Sequence, residues 1–98
     1  MTLRITATFL LQALELEKPI RAALRKMIGL AEQLSFAELT KHKGVHLEKL
    51  AGLVDPRNRE ALYSLRITLS ARATAIVQDG ELVLLAIFTD HDQAYRRN

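Results

Sequence analysis

The sequence predicts an α+β domain: an N-terminal strand, a two-helix hairpin, then an antiparallel β-meander forming a small sheet with the helices on one face. Three observations carry this reading. Residues 2–9 alternate apolar with polar, residues 18–35 repeat apolar side chains every three and four positions, and Asp79-Gly80 separates two strand-like runs. The chain has 98 residues and no cysteine. It therefore reads as one domain, residues 1–98, with no disulfide framework and no thiolate site. A chain of this length buries roughly 60–70% of the surface its unfolded form exposes, enough for one core.

Leu3, Ile5, Ala7 and Phe9 alternate with Thr2, Arg4, Thr6 and Thr8. Period two with several threonines is a strand pattern. From Phe9 the period changes, and Leu10, Leu11, Leu14 and Leu16 fit a short helix. Glu17-Lys18-Pro19 marks the next helix start, because proline is tolerated in a first turn. Ile20, Ala23, Leu24, Met27, Ile28, Ala31 and Leu34 then make one apolar stripe opposite Arg21, Arg25, Lys26, Glu32 and Gln33. That is an amphipathic helix over 18–35, and the two helices form a hairpin whose stripes need a surface to cover.

Residues 36–60 read as irregular. Lys41-His42-Lys43-Gly44-Val45-His46 is basic and broken by glycine, Asp55-Pro56-Arg57-Asn58-Arg59 is turn-like, and the apolar stretch Leu47 to Leu53 lies between them. Strands follow at Leu62–Leu69, Arg72–Gln78 and Glu81–Phe88, with Asp79-Gly80 as a two-residue hairpin turn. The element order is thus β-α-α-(irregular)-β-β-β.

A two-residue turn pairs Gln78 with Glu81, Ile76 with Val83, Thr74 with Leu85 and Arg72 with Ile87. Opposed residues share a face. Ala73, Ala75, Val77, Leu82, Leu84, Ala86 and Phe88 then form an apolar floor for the helices. Arg72, Thr74, Ile76, Gln78, Val83, Leu85 and Ile87 form the other face, joined by Thr89 and His91 if the strand stays extended. The preceding strand puts Ser64, Arg66 and Thr68 on one side and Tyr63, Leu65, Ile67 and Leu69 on the other. A three-residue loop pairs Thr68 with Arg72 and Arg66 with Thr74; that or another odd number keeps Arg66 on the face of Arg72, whereas a two-residue loop buries Arg66 at high cost. Val83, Leu85 and Ile87 on the open face imply that residues 45–60 or the tail cover part of it.

The net charge of +3 makes an anionic partner plausible. No secretory leader pattern is present, and no run approaches the ~20 apolar residues of a membrane helix. A cytoplasmic location without membrane association is the expectation. His42 and His46, without cysteine or a carboxylate set, are weak evidence for a metal. No metal or cofactor is expected, and Lys41, His42, Lys43 and His46 read by themselves as a solvated basic loop.

The stretches HLEKLAG, DPR, YSLRITLSARA and DGELVLLAIFTDHDQAY resemble the RelE/ParE superfamily of bacterial type II toxins. Arg-Ile-Thr with a second Arg after three further residues is similar to the RelE and YoeB branch, as is a closing His plus Tyr after an apolar strand. The resemblance implies an endoribonuclease that cleaves mRNA, commonly on the ribosome, and is held in check by a cognate antitoxin. It implies metal-independent attack of a 2′-hydroxyl on its own 3′ phosphate. On that resemblance Glu48 is the general base, Arg66 and Arg72 stabilise the phosphate, His91 is the acid, and Tyr95 stacks on a base or orients the phosphate. Lys43 and Lys49 resemble residues that hold the RNA backbone, with Lys41 and His46 in the same basic stretch. Asp92-Gln93-Ala94 separates His91 from Tyr95, whereas several active members hold the two closer. The alternative is a ParE-like toxin without nuclease activity, binding a protein target such as DNA gyrase. A third reading is a RelE-fold domain that has lost toxicity.

Overall fold

The computed structural model describes residues 1–89. Its elements run β1 (Thr2–Ile5), α1 (Ala7–Leu14), α2 (Lys18–Gln33), α3 (Phe36–Lys41), β2 (Glu48–Val54), β3 (Ala61–Arg66), β4 (Ala71–Gln78) and β5 (Glu81–Thr89). The strands form one sheet in the order β1-β5-β4-β3-β2. The β1–β5 pair is parallel, and β2 to β5 make an antiparallel meander. This is the α+β architecture expected from the sequence, with one helix and one strand more than expected.

Local chemistry explains each helix. Thr6 caps α1, its hydroxyl accepting from the Phe9 amide. Pro19 sits in the first turn of α2, where its fixed φ is already helical. The region read as irregular contains α3, started by a capping box: the Ser35 hydroxyl accepts from the Glu38 amide, and the Glu38 carboxylate accepts from the Ser35 amide. Hydrogen bonding to Ser35, its amide first and then its side chain, holds the Glu38 carboxyl below its ordinary value.

All three helices contribute to one core on one side of the sheet. Phe9, Leu24, Met27, Ala31 and Leu39 meet Leu65, Ala73, Ala75, Leu82, Leu84 and Ile87 there. Burying a side chain such as Phe9 contributes about 1.5–3 kcal/mol. The stripe of α1 is not the one the leucines suggested. Phe9, Ala13 and Leu16 face the core, while Leu10, Leu11 and Leu14 remain more than half exposed. Apolar side chains surround this helix, so sequence alone does not pick its inner face. Tyr63 lies on the helix side, as its parity required, in edge contact with Phe36 at 5.5 Å.

The β4–β5 hairpin begins as expected. Asp79 and Gly80 both have positive φ, 54° and 77°, as a type I′ turn requires. Gln78 opposes Glu81, and Ile76 opposes Val83. The register then slips by one residue: Ala75 opposes Leu84, but Thr74 opposes Ala86, leaving Leu85 as a bulge. The expected pairs Thr74–Leu85 and Arg72–Ile87 are therefore corrected to Thr74–Ala86 and Arg72–Phe88. Ile87 turns into the core. Ala86 and Phe88, expected on the helix side, share the open face with Thr74 and Arg72. Thr89 opposes Ala71, a buried core residue, and so also changes sides. The parity argument that carried His91 to the face of Arg72 ends at this bulge. His91 and Tyr95 lie outside the described residues.

The bulge leaves backbone groups that need partners, and α1 supplies them. The Thr6 hydroxyl donates to the carbonyls of Leu84 and Leu85 at 3.0 and 3.2 Å. The Gln12 carboxamide oxygen accepts from the Ile87 amide at 2.7 Å. The slip is therefore satisfied by polar groups placed for it rather than left open to water.

Candidate functional site

The open face gathers its polar residues at the β2–β3–β4 end. Glu48 opposes Ser64, Ser64 opposes Thr74, and Arg66 opposes Arg72. Five residues, 67–71, separate the paired arginines, and this odd number keeps both on one face, as expected, although directly opposed rather than offset. Two like charges directly across a ladder are destabilising by themselves, which makes this pair informative.

Arg72 is held by several partners. Its Nε donates to the Ser64 hydroxyl, which is fully buried. Its Nη2 lies 3.4 Å from Glu48 Oε1 and 3.5 Å from the His46 carbonyl. The same Glu48 oxygen lies 3.4 Å from His46 Nε2. Arg72 is only 20% exposed, whereas Glu48 is 56% exposed. The guanidinium is thus fixed and the carboxylate is open to a ligand. Arg66 makes no ion pair among the described residues.

His46 reaches this cluster because of the turn that precedes β2. The His42 Nδ1 accepts from the amides of Gly44 and Val45, both at 3.1 Å. The His46 amide donates to the His42 carbonyl at 2.9 Å, and the Arg66 amide donates to the Val45 carbonyl at 2.7 Å. A side chain at Gly44 would press on the His42 ring at 3.0 Å, so a larger residue there requires that ring to shift. His46 itself has φ 49°, a left-handed conformation uncommon outside glycine. Such backbone persists where surrounding contacts impose it, often at functional sites.

The histidines thus divide by role. His42 builds the turn, and His46 enters the cluster. Among the described residues, no three His, Cys, Asp or Glu side chains converge as a metal site. Lys41 ends α3, and Lys43 is exposed on the connection beside it. Lys49 opposes Tyr63, so it projects to the face opposite Glu48 and is not brought together with Arg72. Reasoning from sequence misses two members: Ser64, which it puts on the open face without a role, and Phe88, which it assigns to the core. His46, expected among the residues that hold the RNA backbone, stands beside Glu48 instead. The Glu48-to-Ser64 alignment that would have flagged Ser64 depends on β2, a strand absent from the sequence reading.

No family model matches this sequence, and no curated protein matches it. Solved structures do. The chain is similar to a chain of the archaeal RelE–RelB complex from Pyrococcus horikoshii OT3, with 17% identity and a TM-score of 0.67 over 92% of this chain and 94% of that one. A chain of the RelB–RelE antitoxin–toxin complex from Methanococcus jannaschii aligns over 97% and 99%, at 10% identity and a TM-score of 0.70. The YoeB dimer from Staphylococcus aureus aligns over 90% and 94%, at 12% identity and a TM-score of 0.55. The likeness is one of fold. The chain is a small α+β domain, and the particular fold it adopts is that of RelE.

Proposed function

We propose that this chain is the toxin of a type II toxin–antitoxin pair and that it acts as an endoribonuclease on mRNA. The observation that carries the reading is the Arg66–Arg72 pair with Glu48 beside it. Two arginines directly opposed in the ladder suit a bound phosphate, because each guanidinium offers a planar fork of donors and keeps its charge at any relevant pH.

The reaction needs no group beyond the chain and the RNA. The 2′-hydroxyl attacks the adjacent phosphorus, the P–O5′ bond breaks, and a 2′,3′-cyclic phosphate and a 5′-hydroxyl result. Glu48 takes the proton from the 2′-hydroxyl. Arg72, oriented by Ser64, and Arg66 stabilise the charge that accumulates on the phosphorane. His46 contacts the same carboxylate, so it works on the base side, orienting Glu48. In-line displacement puts the leaving 5′-oxygen on the opposite side of phosphorus. The acid must come from there, and His91 is the candidate, with Tyr95 against a base or the phosphate. Lys41 and Lys43, both exposed on the segment that leads to His46, are assigned to the RNA backbone.

The cognate antitoxin is the expected protein partner, and translating ribosomes are the expected setting. Two of the similar structures are toxin–antitoxin complexes. Leu10, Leu11 and Leu14 supply an exposed apolar strip on α1, beside a cleft of about 240 Å³ lined by Ala13, Leu14, Leu24 and Ile28 and by Arg21 and Arg25. Contiguous exposed apolar surface of this kind suits a partner helix.

The test is induced expression with mapping of RNA 5′ ends in the cell, comparing the native chain with Arg72→Ala. Growth arrest with new, Arg72-dependent ends supports the nuclease. Arrest without new ends favours a protein target such as DNA gyrase, and no arrest favours a domain without toxicity.

A further inference from the structure

The open face has a second polar end. Six residues along β4 from Arg72, a distance of about 20 Å at strand rise, Gln78 borders a cleft of about 550 Å³. Its walls include Arg4, Arg57, Asn58, Gln78, Val83 and Leu85. Gln78 and Arg72 are on the same face of β4, so one bound strand could touch both ends.

The polar wall is ordered. Arg4 Nη2 donates to Gln78 Oε1 at 2.8 Å, and Gln78 Nε2 donates to Asn58 Oδ1 at 3.4 Å. Asn58 Nδ2 in turn donates to Asp55 Oδ2 at 2.8 Å, and the Asn58 amide donates to the same oxygen at 2.9 Å. This chain fixes which way both carboxamides point and still leaves each with unused bonding capacity. Arg4 shares its charge with Glu81 at 3.6 Å. Arg57 is exposed, with no ion pair or hydrogen bond among the described residues, so its guanidinium is available to an anion. The floor is apolar, supplied by Val83 and by the bulged Leu85.

We propose that this cleft is a second nucleotide subsite, which takes a base of single-stranded RNA against Val83 and Leu85 and its phosphate on Arg57. The inference rests on the ribonuclease reading and adds to it a far contact that sets the length of RNA gripped. An apolar floor receives the flat face of a base, directed carboxamides meet its edge, and a free guanidinium meets its phosphate. At the ~3.4 Å per nucleotide of a stacked strand, the two ends stand roughly six nucleotides apart, and fewer for an unstacked strand. The turn Asp55-Pro56-Arg57-Asn58-Arg59 thereby gains a role beyond closing the β2–β3 hairpin.

The experiment uses the full chain and fluorescently labelled, fully 2′-O-methylated RNA, which cannot be cut because its 2′-oxygens are blocked. Affinities are measured for a dinucleotide and an octanucleotide, with the native chain, Arg57→Ala, Gln78→Ala and Arg72→Ala. Thermal melts confirm that each variant folds. The subsite predicts tighter binding of the octanucleotide, weakened about tenfold by Arg57→Ala and also by Gln78→Ala, with dinucleotide binding unchanged. Equal affinity for both lengths overturns it, as does an octanucleotide indifferent to Arg57→Ala. If Arg72→Ala weakens both lengths while Arg57→Ala weakens neither, the subsite fails and the ribonuclease reading stands. If Arg57→Ala weakens the octanucleotide and Arg72→Ala does nothing, the subsite stands and that reading fails. An Asp/Glu-rich peptide that binds in an Arg57-dependent way where RNA does not would overturn the subsite in favour of a protein ligand.

Discussion

Arg66 and Arg72 stand directly opposite each other across the β3–β4 ladder, on the face away from the helices. Like charges so placed cost about 0.2–1 kcal/mol, and only Arg72 has a carboxylate partner among the described residues. The arrangement is stabilised when an anion bridges the two. Replacing Arg66 by threonine, which suits a strand, should therefore raise the melting temperature by one to several degrees, as about 1 kcal/mol is worth 4–8 °C in a domain this size. The same change should lower RNA cleavage. A variant that melts lower and cleaves normally would make Arg66 a structural residue.

Ser64 bears on Arg72 rather than on substrate. It is fully buried and accepts from the Arg72 Nε. Ser64→Ala leaves a guanidinium N–H without its acceptor, at a cost of about 1–3 kcal/mol. Chemical denaturation should report that loss, and single-turnover cleavage should slow. Arg72→Lys should not restore activity, because one ammonium cannot hold Ser64 and Glu48 together with a phosphate. Full activity in Arg72→Lys would contradict the proposed fork geometry.

The bulge at Leu85 sorts its neighbours in a way that urea unfolding can check. Ile87 is buried in the core and Phe88 is not. Ile87→Ala should cost about 2–5 kcal/mol. Phe88→Ala should cost much less, and it should weaken RNA binding because Phe88 opposes Arg72. The reverse order of stabilities would restore the regular register without the bulge.

The capping box of α3 carries a pH dependence of known sign. The folded-state pKa of Glu38 lies below its ordinary 4.5, so its ionised form stabilises the fold above that value. That contribution is lost as pH falls through the folded value. Glu38→Gln keeps the cap's shape without the titration. The native chain should be the more stable of the two at neutral pH, and the gap should close on acidification below pH 4.5. A gap independent of pH would mean that the carboxylate does not cap the helix.

Much of this was legible from residue order, for identifiable reasons. Arg66 and Arg72 share a face because strand parity survives any odd loop, and burying Arg66 would be costly. The Asp79-Gly80 turn states its own backbone. The bulge is silent because LVLLAIF, Leu82 to Phe88, is apolar throughout, with no polar residue to mark where alternation slips. Every inference about residues 86–89 then inherits the wrong face. The helix α3 is announced by Ser35-x-x-Glu38, but its six residues are too few to show a period. Strand β2 is mostly exposed and pairs irregularly with β3, so no alternation betrays it. His46 joins the site through a left-handed backbone that only the folded turn imposes.

The central claim is that Glu48 and the two arginines drive attack by a 2′-hydroxyl within the RNA itself. The chemistry of the product ends tests it most directly. RNA cleaved by the native chain should carry 5′-hydroxyl and 2′,3′-cyclic phosphate ends, and Glu48→Gln or Arg72→Ala should lower their yield by roughly 10²–10³. Products carrying 5′-phosphate ends, or cleavage that survives loss of Arg72, would contradict the account.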